Sequence, residues 1–384
     1  MISPFFMVWT LCAQTISGVQ TDGNRQSNII TAVPFLLITP QARAGAMGNA
    51  GVAVDGNENA LAMNVATLAF LPEKSGGISL AYSPWLKTIA KDINISYLSG
   101  FYRLDDRNTL AGSLRYFSLG NVELTDANFQ SLGNYSPNEL AFDLSFTRSL
   151  GPNFALGGTL RYIHSGLYNI QSGTGGQAKA AQAVAVDVTG ILKKEVAMFG
   201  KPAVWSLGLN LSNMGTKVGH GNGARSYFLP ANLKLGTAAR LSIDNESALL
   251  IAIDLNKLMV PTEPIYHNNG EIIAGKDPDR SVPSGILGSF SDAPGGFSEE
   301  LKELGISTGL EYSYQQKFWL RAGYNYQDIQ KGNGRYLTLG AGLRYHMIHV
   351  DFAYIAASVQ QTPLANTLRF TLGISMGKNR NKTD

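Results

Sequence analysis

The chain has 384 residues, of which only 15% are charged and 10% aromatic, with 42 glycines and a net charge of +3. So little charge excludes a disordered polyelectrolyte, and a near-neutral balance without a basic cluster excludes a nucleic-acid binder. A mean hydropathy of -0.03, with no apolar run of about 18 residues, excludes a helical membrane bundle and leaves a soluble β-protein or a membrane β-barrel.

Met1–Ala13 reads as the apolar core of a secretory signal, which places a signal peptide over about residues 1–20. The single cysteine, Cys12, lies inside it. A lone thiol excludes a disulfide framework and a cysteine-based metal site. Leu11 is too large to precede a lipidated cysteine.

Residues 28–75 do not alternate. Ile29 to Ile38 is apolar, and a Gly/Ala-rich stretch follows from Arg43 to Val54. Asp55–Asn57 is placed to cap a helix predicted over Glu58 to Phe70, with Leu61, Val65 and Leu68 on one face. A piece this small cannot form its own core. It is expected to pack inside a larger structure as a plug or hatch.

From Gly76 onward apolar and polar residues alternate with period two, as in Phe142–Thr147, Trp205–Ser212 and Leu368–Met376. Strict alternation predicts strands with one apolar and one polar face. Fourteen are predicted, near 76–84, 92–104, 108–119, 139–149, 153–168, 181–194, 203–213, 230–243, 246–258, 305–315, 316–327, 335–346, 347–358 and 366–378. Most have about ten residues or more, enough to cross a bilayer when tilted.

The connections form a second pattern. Short turns stand at Asp105–Arg107, Gly151–Asn153, Asp244–Glu246, Gln315–Lys317 and His346. Between them lie longer segments near 120–138, 169–180, 214–229, 259–304 and 328–334. Loops sorted by parity are expected of an up-and-down barrel with short periplasmic turns and long outer loops. The polar face carries Arg115, Asp143, Arg161, Asp187, Lys234, Arg240, Asp254, Glu311, Arg321, Arg344, Asp351 and Arg369. Fourteen strands enclose a lumen too wide for side chains alone, so these charges are expected inside, pairing across neighbouring strands. Tyr97, Tyr116, Tyr162, Tyr312, Tyr314 and Tyr345 are expected on the lipid face, as an aromatic girdle. The fold class is therefore an all-β outer-membrane antiparallel barrel over 76–378, with a plug at 28–75.

The longest loop, 259–304, is expected to be ordered and functional. It carries apolar residues that a linker lacks, among them Tyr266, Ile272, Ile273, Ile286, Leu287 and Phe290, and a short helix is predicted over Ser298 to Leu304. The histidines His164, His220, His267, His346 and His349 lack metal-ligand spacing. His346 and His349 flank a turn and are expected to meet solvent or headgroups. Gly219–Gly223 is only superficially a phosphate loop, since no Lys-Ser/Thr follows. His164 and Ser165 are adjacent on a strand and point to opposite faces, so they are no nucleophile–base pair. No catalytic residue, metal or cofactor is predicted, and the protein reads as non-enzymatic.

The run Ile38 to Ala53, containing Arg43, Gly45, Met47, Gly48 and Gly51, then a short helix, then fourteen strands, resembles the PorV family. These are FadL-like outer-membrane barrels of the type IX secretion system. The sequence departs from the family at Asn64–Ala66, where relatives carry Asn-Pro-Ala. The resemblance implies a subunit that accepts secreted cargo by its C-terminal signal domain at a large translocon barrel. It then passes the cargo to a sortase-like attachment partner at the cell surface. It also implies an N-terminal hatch bearing those five residues.

Three functions are carried forward. A cargo-binding subunit predicts partner contacts on the loops 214–229 and 259–304. A transporter of hydrophobic small molecules predicts an apolar pocket near the outer mouth and a hatch whose glycines Gly45, Gly48 and Gly51 permit motion. A general porin predicts an open lumen.

Overall fold

The structure is a computed structural model and describes residues 29–85, 92–125, 128–167, 180–219, 225–267, 269–332, 334–357 and 367–376. The expected signal peptide, nearly all of the 169–180 loop and most of the Gly219–Gly223 segment lie outside the described residues.

Fourteen antiparallel strands close into a barrel. They are β1 (Gly76–Pro84), β2 (Ile93–Arg103), β3 (Asn108–Leu119), β4 (Asn138–Ser149), β5 (Phe154–Ser165), β6 (Ala181–Met198), β7 (Lys201–Gly215), β8 (Asn232–Ser242), β9 (Ser247–Leu258), β10 (Gly305–Tyr314), β11 (Phe318–Tyr326), β12 (Tyr336–Tyr345), β13 (Ile348–Ala357) and β14 (Thr367–Met376). Each pairs with its neighbours in sequence, and β1 closes the ring on β14 from Gly76↔Met376 to Tyr82↔Phe370. Closure satisfies every ladder and leaves no sheet edge, which is what hydrocarbon demands of a spanning structure. The predicted strands recur at their predicted places, and the β6–β7 hairpin runs further, to a turn at Phe199–Gly200.

The alternation sorts by face as lipid requires. On β4, Phe142, Leu144 and Phe146 are exposed, while Ala141, Asp143, Ser145 and Thr147 are buried. A water-soluble barrel inverts this order. Tyr116, Tyr162, Tyr312, Tyr314 and Tyr345 stand on the outer face as expected. Tyr97 does not: it points inward and is 0% exposed. Ile93 and Ile95 point inward with it, against the apolar Phe35 and Leu36. This part of the wall is therefore apolar on both faces, and alternation cannot tell them apart.

Residues 29–75 run through the lumen from the long-loop end to the short-turn end. Ala32 N–H donates to the Phe228 carbonyl (2.8 Å), and Phe35 stacks on Phe117 with ring centroids 6.2 Å apart. A short helix α1 (Ala42–Ala46) then packs on β11 to β14. Gln41 gives it no side-chain cap; instead Thr371 on the wall accepts the Ala42 N–H at 2.9 Å. Gly48 has φ +64, and a Cβ there would stand 2.6 Å from the Tyr324 carbonyl oxygen. Only glycine allows the plug backbone so near β11.

The helix predicted over Glu58 to Phe70 is not continuous. It is two 3-10 turns, Ala60–Ala62 and Val65–Phe70. Asn64 between them is extended, accepts the Ala66 N–H at 3.0 Å, and donates to the carbonyls of Val52 (2.7 Å) and Gly190 (3.0 Å). Bonds to the plug and the wall thus outcompete helix continuation. Val65 and Leu68 share a core with Ala60, Phe101 and Ala111, and Leu61 packs against it.

Candidate functional site

Two plug residues fix the plug to the wall by charge. Arg43 donates Nε and Nη2 to the Glu311 carboxylate, each at 2.8 Å. Glu311 also accepts Arg321 Nε (2.7 Å), and Arg321 reaches Asp351 (2.6 Å). Asp55 accepts Lys193 Nζ (2.6 Å) and Arg240 Nε (2.7 Å). Five strands therefore converge on two plug residues twelve positions apart, Arg43 and Asp55. Networks of this kind fix geometry more than they add net stability, because desolvating each charge offsets much of the attraction.

The remaining predicted hatch residues are placed just as closely. Gly51 and Val52 N–H donate to Asp254 Oδ2 at 2.7 and 3.0 Å. Met47 is buried, and Gly45 abuts the Arg369 side chain. Sequence reasoning missed Asp55, Asn64 and Asp254 as plug anchors; their partners are up to two hundred residues away and leave no local pattern.

The expected pairing of inward charges holds for Arg161, which bridges Asp143 (2.7 Å) and Asp187 (3.0 Å), and for Arg321. It fails for four cations. Arg115, Lys234, Arg344 and Arg369 have no ion-pair partner among the described residues; Arg115 Nη1 donates to the Leu36 carbonyl at 2.8 Å, and Arg344 lies over the Trp319 ring. His349 is also corrected: it is buried in the lumen, with Nε2 2.7 Å from Glu58 Oε1, and meets neither solvent nor headgroups. Its pairing with Arg344 and Gly373 places it on the inner face of β13.

Above the lumen, the loop 259–304 is folded. It holds a strand pair, Ile265–Tyr266 with Ile272–Ala274, and two helices, α2 (Val282–Gly288) and α3 (Phe297–Lys302). The predicted helix at Ser298 to Leu304 is thus α3, shifted towards the N-terminus; α2 was not foreseen. Met259, Val260, Phe228 and Ala231 form a small core beneath it. Lys257 Nζ binds Glu300 (3.0 Å) and Glu303 (2.6 Å), and Lys331 Nζ binds Glu303 at 2.9 Å. Burial alone would push the Glu303 carboxyl up, but hydrogen bonds from Lys257 and Lys331 hold it below the usual range.

Of the six residues predicted to contact a partner, Ile272, Ile273, Leu287 and Phe290 are exposed, Leu287 by 75%. Tyr266 is half-buried, and Ile286 turns down onto the Met259 core. Phe297, 78% exposed, and Leu301 extend the exposed apolar set on α3.

Beneath this loop lies a cavity of about 380 Å³. Its lining is mixed: Lys234, Asn210, Asn232 and Asn256 of the strands are polar, while Leu36, Leu37, Trp85 and Leu258 are apolar. A hydrocarbon transporter needs an apolar pocket here, and five cations interrupt the apolar part of this lining.

The model of the family described as type IX secretion system protein PorV matches residues 21–265, well over half of the chain. The chain belongs to the PorV family. Among solved structures, the ΔS2S3 mutant of the TodX monoaromatic hydrocarbon channel matches with a TM-score of 0.51 at 14% identity, over 87% of this chain and 97% of that one. The Pseudomonas putida toluene transporter TodX gives a TM-score of 0.48 at 16% identity, over 87% and 96%. The Ralstonia pickettii toluene transporter TbuX gives 0.47 at 11%, over 89% and 98%. At such identities the first of these speaks for the barrel fold alone. A search of curated protein sequences finds no match. This PorV-family barrel is an outer-membrane protein of the type IX secretion system, and secretion is the process it serves.

Proposed function

We propose that this PorV-family barrel is a non-enzymatic cargo-binding subunit. It receives secreted proteins by their C-terminal signal domains beside the large translocon barrel and hands them to the sortase-like attachment partner. One observation carries the reading: a folded outer loop, anchored by Lys257, Lys331 and their glutamates, that displays Ile272, Ile273, Leu287 and Phe290 to the outside. Solvent-exposed apolar side chains on an ordered scaffold are what a protein partner recognises. Ile286 ties that surface to the Met259 core, and Tyr266 is half-buried in the same loop. The alternative, transport of hydrophobic small molecules, requires an apolar lumen, and the cations along the cavity disfavour it.

The test is affinity capture of tagged protein from detergent-solubilised outer membranes, comparing the wild type with the double variant Ile273→Ser/Leu287→Ser. The wild type should recover a translocon component and secreted cargo, and the variant markedly less cargo. Recovery of neither by the wild type, or equal recovery by both, sinks the proposal.

A further inference from the structure

We infer that the lumenal cavity under the outer loop is a binding site for a hydroxylated organic anion of monosaccharide size, an acidic sugar or a sugar phosphate. The argument begins with charge. Five cations line the cavity, Arg115, Arg161, Lys234, Lys331 and Arg369, against the carboxylates Asp187, Asp254 and Glu303. Arg161 is matched by Asp143 and Asp187, and Lys331 by Glu299 and Glu303. Asp254 remains to face three cations, and its Oδ2 already accepts two plug N–H groups. Arg369 is 1% exposed; its Nε has no hydrogen-bond partner, and its Nη1 makes one long contact, 3.4 Å, to Asn49. Buried cations without a counter-charge are costly unless an anion completes them.

The polar neutral groups specify more than a simple ion. Asn210 and Asn256 stand directly opposite Lys234 on the two flanking strands, so the three form one row across β7, β8 and β9. Asn232 is one inward position further along β8. The side-chain oxygens of Asn210, Asn232 and Asn256 are buried without a hydrogen-bond donor. A bare anion leaves these acceptors unsatisfied; hydroxyl groups on the same molecule satisfy them. Leu36 and Trp85 also line the cavity and supply apolar surface of the sort against which the C–H face of a pyranose packs. About 380 Å³ is at the small end of ligand pockets and suits one ring with its anionic group.

The full-length protein, in detergent, is titrated calorimetrically with glucuronate, glucose 6-phosphate, glucose and inorganic phosphate. Binding of glucuronate or glucose 6-phosphate is expected, and which one is tighter identifies the anionic group. Glucose and phosphate should bind at least tenfold more weakly. Lys234→Met should weaken the acidic sugar at least tenfold while the protein keeps its heat-modifiable gel mobility. Asn256→Leu, which removes an acceptor and no charge, should weaken it as well and serves if the lysine variant does not fold. No binding of either acidic sugar overturns the inference. So does unchanged affinity in the folded variants, glucose binding as tightly, or phosphate binding as tightly, the last meaning an adventitious ion only.

Discussion

Arg43 of the plug and Glu311 of β10 meet through two parallel hydrogen bonds, both 2.8 Å. The two partners are not equivalent. Glu311 also holds Arg321 at 2.7 Å and lies 3.5 Å from Arg240. Removing Arg43 leaves that carboxylate two guanidiniums, whereas removing Glu311 leaves three guanidiniums facing one another. Glu311→Gln is therefore expected to cost about 3–5 kcal/mol, the range for breaking a buried pair, and Arg43→Met clearly less. Single-channel conductance in planar bilayers checks where the loss falls. It should rise with Glu311→Gln, as the plug loosens within an intact barrel. An unchanged conductance together with a normal melting transition would show that the pair does not hold the plug.

If the outer loop is the docking element, deleting residues 268–296 should impair secretion but not assembly. The segment contributes no rung to the barrel ladder, while Glu300 and Glu303 remain to hold Lys257 and Lys331. Heat-modifiable gel mobility should stay as in the wild type, and secreted cargo should accumulate in the periplasm. Normal secretion by the deletion variant would move the partner site to the loops around 120–138 and 214–229.

The loop's attachment should depend on acid in one direction. The lysine-bound Glu303 carboxyl titrates below its ordinary range of about 4.3. A carboxylate depressed by folding contributes its full stabilisation above the ordinary value and loses it as pH falls through the lower folded one. Protease nicking of the 259–304 loop should thus be slow and constant from about pH 5 upward and accelerate only below about pH 4. Glu303→Gln should nick rapidly at neutral pH and lose that acid dependence. Equal nicking of wild type and variant at pH 7 would mean that the lysine clamp does not hold the loop.

The barrel was legible in the sequence because lipid imposes period two on every strand, as β4 illustrates residue by residue. The turns were legible as well: Gln315, Gln316 and His346 all have positive φ, in turns two or three residues long. The plug was not. Asn64 interrupts a helical pattern only because Val52 and Gly190 are there to receive its amide, and no local rule encodes a partner 126 residues away. His349 was misjudged by its nearness to a turn; strand register, not sequence distance, aims it at Glu58. Of the six loop residues, five were found at or near the surface because apolar side chains in a long loop are unusual. Ile286 was not separable from Leu287 until α2 set which of the two faced the barrel.

Leu144 provides the contrasting case to the loop. It is exposed at the middle of β4, between Gly112 on β3 and Leu160 on β5. The next residue back along the strand, Asp143, faces the lumen and holds Arg161 at 2.7 Å. A charge is thus tolerated at 143 and excluded at 144, one residue apart. Leu144→Arg should cost about 2–4 kcal/mol near the bilayer midplane. The guanidinium has no lumenal partner to reach, and the pleat directs it into hydrocarbon. The loss should appear as reduced abundance in the outer membrane, measured by immunoblot of membrane fractions. The molecules that do assemble should still capture cargo, because neither the outer loop nor the plug is touched. Wild-type abundance of Leu144→Arg would mean that this face does not meet lipid, and a protein subunit covering β4 would then have to be sought.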